Sequence, residues 1–375
     1  MKPAVLELAR QLIAIPSVNP AGDPGTSHTG EAEIAAFLSD FLRSIGAEVS
    51  LVEVLPGRPN VIGRFRSNST EKPPSPKPRL AFAPHTDTVG VSGMTVPSFS
   101  GEIRDGRLYG RGASDTKGPM AAQLWALSEM RNELADLSHE IVFLGLMDEE
   151  SGQAGAIAAA ASEKLDFVIV AEPTSMQIVH THKGSIWLDI TTHGVAAHSS
   201  RPELGRNAIY EMSRVLRCIE DVITPQLASK FHPILGAPTI SAGVIRGGTK
   251  CNVVPDICVL EVDVRTVPGM ENFAAELIVA IQKVAPTAEL RVKKQSASLE
   301  TDFAHPMIER LRRYDCHPTG APWFCDAAVF AAAGIPSIAM GPGSISQAHT
   351  ADEFIEIADL EAGAETFRQF LSGLR

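Results

Sequence analysis

Gly110-Arg111-Gly112-Ala113-Ser114-Asp115-Thr116-Lys117-Gly118-Pro119-Met120 is the stretch from which the fold is read. Its glycines allow tight turning and close backbone packing, and the apolar run that follows, to about Met130, reads as a helix. Asp115 stands just ahead of that helix, where a negative charge is favoured. Taken alone, this is a turn followed by a capped helix. It acquires weight because other acidic and histidine sites each follow a short apolar strand.

Residues 79–84 form such a strand, with His85 and Asp87 at its carboxyl end. Residues 140–147 form another, ending in Asp148-Glu149-Glu150, and residues 166–171 a third, ending in Glu172-Pro173-Thr174. Far downstream, 336–340 runs into Gly341-Pro342-Gly343-Ser344 and then His349. Apolar strands alternating with helices predict an α/β domain, a mostly parallel sheet flanked by helices on both faces. Ligands of such sheets bind beyond the carboxyl ends of the strands, so these polar side chains are expected at one rim.

Upstream, helices are expected at 3–14 and 31–45, with Gly46 as the stop of the second, and strands at 48–54 and 60–66. Residues 67–78, rich in Pro, Ser and Lys, read as an exposed loop. Between about 181 and 296 the texture changes. Strands at 185–192, 239–245, 256–264 and 289–293, with helices at 207–218 and 272–284, give a strand-helix-strand-strand-helix-strand order. That is an α+β domain, residues 182–295, inserted into a catalytic domain made of 1–181 and 296–375. A chain of 375 residues is long enough for two such domains.

Composition narrows the function classes. A hydrophobic share of 44% against 21% charged residues describes a well-cored enzyme rather than a disordered or fibrous chain. The formal charge of -11, with no basic stripe to offset it, argues against nucleic acid as a partner. No apolar run reaches membrane-spanning length, so no membrane partner is expected. Residues 1–15 carry Glu7 within an amphipathic pattern and lack a signal-peptide layout. The five cysteines, Cys218, Cys251, Cys258, Cys316 and Cys325, form no CxxC pair and read as reduced thiols, so a cytoplasmic location is expected.

The collected set is His85, Asp115, Glu150, Glu172 and His349, with Asp87 and Glu149 beside them. Singly each is commonplace: a histidine after a strand, an acidic turn at Glu149-Glu150, a glutamate closing a strand before Pro173. Together, and mostly at strand ends, they point to a metal site. Imidazole and carboxylate donors without cysteine suit zinc in an open catalytic site, or manganese or cobalt. Five donors exceed what one catalytic zinc needs, but two divalent ions sharing one carboxylate use them all, and Asp115 is the natural bridge. Such a pair, roughly 3.5–4 Å apart, polarises a carbonyl and acidifies a water together. Asp87, two residues beyond His85 on a strand, points the same way and suits an acceptor that fixes the imidazole. Glu149 suits a general base, passing a proton to a leaving amine. The reaction class is metal-assisted hydrolysis of an amide.

At these residues the chain resembles the di-zinc aminoacylase/carboxypeptidase metallopeptidase family, in its acetylornithine deacetylase and succinyl-diaminopimelate desuccinylase group. The matching segments are Pro84-His85-Thr86-Asp87-Thr88-Val89, the Gly110 to Gly118 stretch, Met147-Asp148-Glu149-Glu150-Ser151-Gly152 and Ala171-Glu172-Pro173-Thr174. Further along come Ala197-His198-Ser199-Ser200-Arg201-Pro202, the glycine-led run from Gly247 to Asp256, and Gln347-Ala348-His349-Thr350-Ala351-Asp352-Glu353. The resemblance implies that His85 and Glu172 hold one metal, Glu150 and His349 the other, and that Asp115 bridges them. It also implies Glu149 as base and proton shuttle, Asp87 as orienter of His85, and a cis Asp115-Thr116 peptide. The inserted domain resembles the family's lid and dimerisation domain, which implies a homodimer. In it, His198 matches a histidine that reaches a neighbouring subunit's active site to stabilise the oxyanion, and Asn252 a residue assisting there. Arg265 matches the arginine that grips a substrate carboxylate.

The resemblance leaves the substrate forked. Gly341 to His349 is similar to acetylornithine deacetylase, which implies an N-acyl amino acid as substrate and a place in arginine biosynthesis. The segment from Gly248 to Asp256 is more similar to desuccinylases and glutamate carboxypeptidases. Against the desuccinylases, Pro322-Trp323-Phe324-Cys325-Asp326-Ala327 replaces their glycine- and serine-rich loop. A dipeptidase or glutamate carboxypeptidase is the second reading. A non-catalytic binding protein is the remote one, and it would have lost Glu149 or a metal ligand, which this chain has not.

Overall fold

The computed structural model describes residues 4–22, 24, 26–66 and 76–375. The loop expected at 67–78 therefore falls, over 67–75, outside the described residues. The chain separates into two compact units. One comprises Met1–His180, Thr301–Thr319 and Cys325–Arg375, the other Thr181–Glu300 and Gly320–Phe324.

In the first unit, six strands lie in the spatial order Glu48–Leu55, Arg58–Phe65, Glu140–Gly145, Arg79–Ala83, Phe167–Val170 and Ser337–Ala339. The last four run parallel, in a register that sets Phe82 against Phe143 and Ile169, and Ile338 against Ile169. Their side chains are buried almost without exception, which is why they read as continuous apolar runs rather than alternating ones. The first two strands pair antiparallel to each other and to the third, so the parallel core has an antiparallel edge.

Helices Val5–Ala14, Ala32–Ser44, Lys117–Met130 and Ile357–Ser372 cover this sheet. Lys117–Met130 is buried on nearly every side, so its sequence shows little amphipathic bias. Leu80, Phe82, Leu124, Phe143, Phe167, Phe367 and Phe370 share the core, with Phe82 edge-on to Phe367 at 5.4 Å between ring centroids.

The second unit is a four-stranded antiparallel sheet in the order Thr239–Gly247, Ile257–Thr266, Gly184–His193, Glu289–Ser296. Ile186, Leu188, Ile190, Leu260, Val262 and Val264 alternate onto one face and pack with Met212, Val215, Leu277 and Ile281 of helices Ala208–Cys218 and Phe273–Val284. The first of these helices continues through a π-helical turn, Ile219–Ile223, into Thr224–Ala228. Pro225 has no amide to give the ladder, and Thr224 instead bonds the Ile219 carbonyl through its hydroxyl at 2.8 Å. Among the described residues no helix is long and apolar enough to cross a membrane.

Candidate metal centre

Each strand end of the parallel core delivers a donor. The chain past Arg79–Ala83 bridges to Leu146 through His85, and Asp87 follows within the same turn. Asp148, Glu149 and Glu150 follow Glu140–Gly145, with Asp148 at φ 72 turning the chain back over the sheet. Glu172 lies two residues beyond Phe167–Val170, and His349 follows Ser337–Ala339 after the Gly341–Gly343 turn. Asp115 comes from the Gly110–Asp115 loop ahead of Lys117–Met130, and its peptide to Thr116 is cis. Gly112 holds φ +84 there, with Lys117 methylenes 2.9–3.0 Å from where a Cβ would stand, so the turn has no room for a side chain.

Asp115 is the common member. Its Oδ1 lies 3.0 Å from His85 Nε2, and its Oδ2 lies 3.3 Å from His349 Nε2. Donor atoms of His85, Asp115 and Glu172 lie within 4.8 Å of one another, and so do those of Asp115, Glu150 and His349. A third grouping joins His85, Glu149 and Glu150. His349 Nε2 is 3.2–3.3 Å from both oxygens of Glu150, whereas one oxygen of buried Glu172 has no hydrogen-bond partner.

The electrostatics are those of a cation site. Burial, then the charge of Asp115, pushes the Glu172 carboxyl well above the usual range, and burial does the same to Glu149. Burial also resists ionisation of Asp115, but hydrogen bonds from His349 and His85 outweigh it and hold that carboxyl down. The same contacts, with Asp115 first and Glu150 second, push the His349 imidazole up to about 10. Nitrogen and oxygen donors, an unpartnered buried carboxylate oxygen and crowded acidic groups fit two divalent ions sharing Asp115.

His85 Nδ1 lies 2.9 Å from the backbone carbonyl of Asp87 and 3.6 Å from its carboxylate. The Asp87 carboxylate also accepts the amides of Glu149 and Glu150, at 3.0 and 3.1 Å, and the side-chain amide of Asn19 at 2.7 Å. Asp87 thus fixes the acidic turn as well as the imidazole. Asn19 bonds Asp148 at 3.0 Å, and Asp148 in turn meets Arg58, which forks onto buried Glu31. Sequence reading assigned nothing to this chain of contacts. It also missed Asp326, fully buried, which accepts from Gln153 at 3.2 Å and whose carboxyl burial pushes up to about 7.

His198, Asn252 and Arg265 lie in the second unit. The pairing of Ala197–His198 with Val253–Val254 brings His198 beside Asn252, whose carbonyl accepts the Ser199 amide at 3.1 Å. The Ser200 amide donates to His198 Nδ1 at 3.2 Å, which places the proton of a neutral ring on Nε2. Arg265 meets both oxygens of Asp263, at 2.9 and 3.0 Å, and its guanidinium lies 6.0 Å from the Phe324 ring centroid.

Residues 81–373 match the model of peptidase family M20/M25/M40. Acetylornithine deacetylase of Proteus mirabilis is 31% identical over 98% of this chain and 96% of its own. A tripeptidase of Staphylococcus aureus superposes with a TM-score of 0.78 at 21% identity, covering 99% of this chain and 97% of that one. A dinuclear metal-binding M20 peptidase of Bacillus subtilis gives 0.71 at 16% identity, covering 99% and 97%.

Proposed function

Since the chain belongs to peptidase family M20/M25/M40, we propose that it is a two-metal hydrolase cleaving the amide bond of an N-acyl amino acid, most nearly in the manner of acetylornithine deacetylase. The observation that carries this is Asp115 standing between two donor triads, with Glu149 buried beside them. His85 and Glu172 would hold one ion, Glu150 and His349 the other, and Asp115 both. Zinc suits these donors, with cobalt and manganese as substitutes. When bound, the two ions supply Lewis acidity to the scissile carbonyl and lower the pKa of the attacking water.

The chain's own groups do the rest. Glu149, whose buried carboxyl favours holding a proton, takes one from the water and returns it to the leaving amine. Asp87 keeps His85 and the Glu149 amide in place. His198 is the proposed oxyanion donor, through Nε2, and Asn252 its neighbour; Arg265 is the proposed ligand of the substrate carboxylate.

We propose further that the protein is a homodimer through the second unit, with His198 serving the partner chain's centre. Support comes from Thr239–Gly247, an edge strand with exposed Val244 and Ile245, and from exposed Ile209 and Tyr210 on the helix Ala208–Cys218. A cytoplasmic location and a role in arginine biosynthesis belong to the same reading.

A second reading, hydrolysis of short peptides, is favoured by the fold shared with the tripeptidase. A panel of N-acetylornithine, other N-acetyl amino acids, N-succinyl-diaminopimelate and dipeptides ending in glutamate, assayed with added zinc, separates the two. Preference for N-acetylornithine is expected. Turnover of free dipeptides alone would move the substrate to the second reading.

A further inference from the structure

Glu353 is fully buried, and its partner Arg111 nearly so. Arg111 Nη1 donates to Glu353 Oε2 at 2.7 Å. Glu353 accepts three more bonds, all from backbone amides of the loop that carries Asp115: Gly112 at 3.1 Å, Ser114 at 2.9 Å and Asp115 itself at 3.0 Å. Arg111 reaches two further loops. Its Nε donates to the Gly90 carbonyl at 3.1 Å, just past His85 and Asp87, and its Nη1 to the Thr350 carbonyl at 3.3 Å, next to His349. One ion pair thus ties together the three loops that present His85, Asp115 and His349.

The two donor triads do not depend on this tie equally. His85 and Glu172 lie at or just past strand ends, where the sheet positions them, and both are buried. His349 sits in a loop at φ 63 with its side chain 52% exposed, ahead of the three-residue strand Phe354–Glu356. The Arg111–Glu353 pair holds the Thr350 carbonyl and the Asp115 amide at once, beside backbone ties from the Gly110 amide to the Glu353 carbonyl at 3.0 Å and from the Thr95 amide to the Ala351 carbonyl at 2.7 Å.

We propose that Glu353 is a positioning residue for the Asp115–Glu150–His349 cation position, acting through Arg111 and the Asp115 loop without touching the ion. The proposal rests on the two-ion reading given above. A carboxylate is required because two oxygens must accept from an arginine and three amides together; a carboxamide would aim an N–H at one of those donors.

The test is calorimetric titration of the metal-free full-length protein with Co(II), followed also by cobalt visible absorption, for wild type, Glu353→Gln and Glu353→Asp. Wild type is expected to bind two ions. In Glu353→Gln the tighter step should stay within about threefold, while the weaker step falls about 10- to 100-fold, the usual range for losing a group that orients ligands. Its absorption should then saturate with one ion. Glu353→Asp keeps the charge on a shorter stem; it should show the same split in smaller measure, and it decides the matter if Glu353→Gln fails to fold by circular dichroism. Two unchanged steps, or two steps weakened alike, in the folded variant would overturn the proposal. Wild type binding fewer than two ions would instead overturn the two-ion reading beneath it.

Discussion

Glu149 and Glu150 are adjacent in the chain, yet their surroundings give them different work. Glu150 faces His349 at 3.2 Å, whereas Glu149 is enclosed, and burial pushes its carboxyl well up. Glu149→Gln should keep both metal ions and the fold while kcat falls about 10²- to 10⁴-fold, the range for losing a positioned proton carrier. Stopped assays beside metal analysis check this; near-normal turnover would remove the base from the scheme. His349 supplies a pH prediction for the metal-free protein. Its ordinary pKa is 6.5, and hydrogen bonds to Asp115 and then Glu150 raise it to about 10 in the fold. The native state therefore keeps a proton that the unfolded chain has released, so the stabilisation is complete below pH 6.5 and lost as pH rises through about 10. Thermal melts of metal-free protein should show Tm falling over that window, and His349→Ala should flatten the fall. At this scale the donors were legible because each stands in a short motif after an apolar run. Glu353 was quoted within its motif, but its role was hidden, because its partner amides are about 240 residues away in the chain. Asn19 and Arg58 also act at a distance, on partners 68 and 129 residues away for Asn19 and 27 and 90 for Arg58.

The loop-to-helix junction at Asp115 is the element on which the site turns. A Cβ at Gly118 would stand 2.2 Å from the Ala113 carbonyl oxygen, a backbone atom that cannot step aside. Gly118→Ala should destabilise by about 1–3 kcal/mol or more, the cost of overpacking, and loosen Asp115. Denaturant midpoints alongside metal affinity would register both, and a variant as stable as wild type would show that the junction yields. Beyond the helices Ala154–Ser162 and Ile357–Ser372, which went unread, the longer strands and helices were read from sequence to within a few residues, with Phe82, Ile169 and Ile338 marking strands buried on both faces. Shorter elements were not. Glu102–Arg104, Arg107–Tyr109 and Phe354–Glu356 make a small sheet of three-residue strands, too short to show a period. Gly320–Phe324 belongs to the second unit, where Ala321 accepts the Lys183 amide at 3.1 Å, a pairing with no local signature.

For the molecule as a whole, the proposed dimer makes a claim about sharing. Glu149→Gln and His198→Ala chains are each expected to be inactive, but refolding them together should restore up to about a quarter of wild-type activity, because statistical mixing gives half hybrids with one intact centre each. No recovery would return His198 to its own chain or to a structural role. The two-metal reading is that His85, Asp115, Glu150, Glu172 and His349 would hold two ions for the hydrolysis of an N-acyl amino acid. It is tested most directly by titrating metal-free protein with zinc while N-acetylornithine hydrolysis is followed in the same samples. Binding that saturates at two ions per chain, with turnover rising alongside it, is the predicted result. Full activity at one ion, or two bound ions with no cleavage of any N-acyl amino acid, would contradict the account.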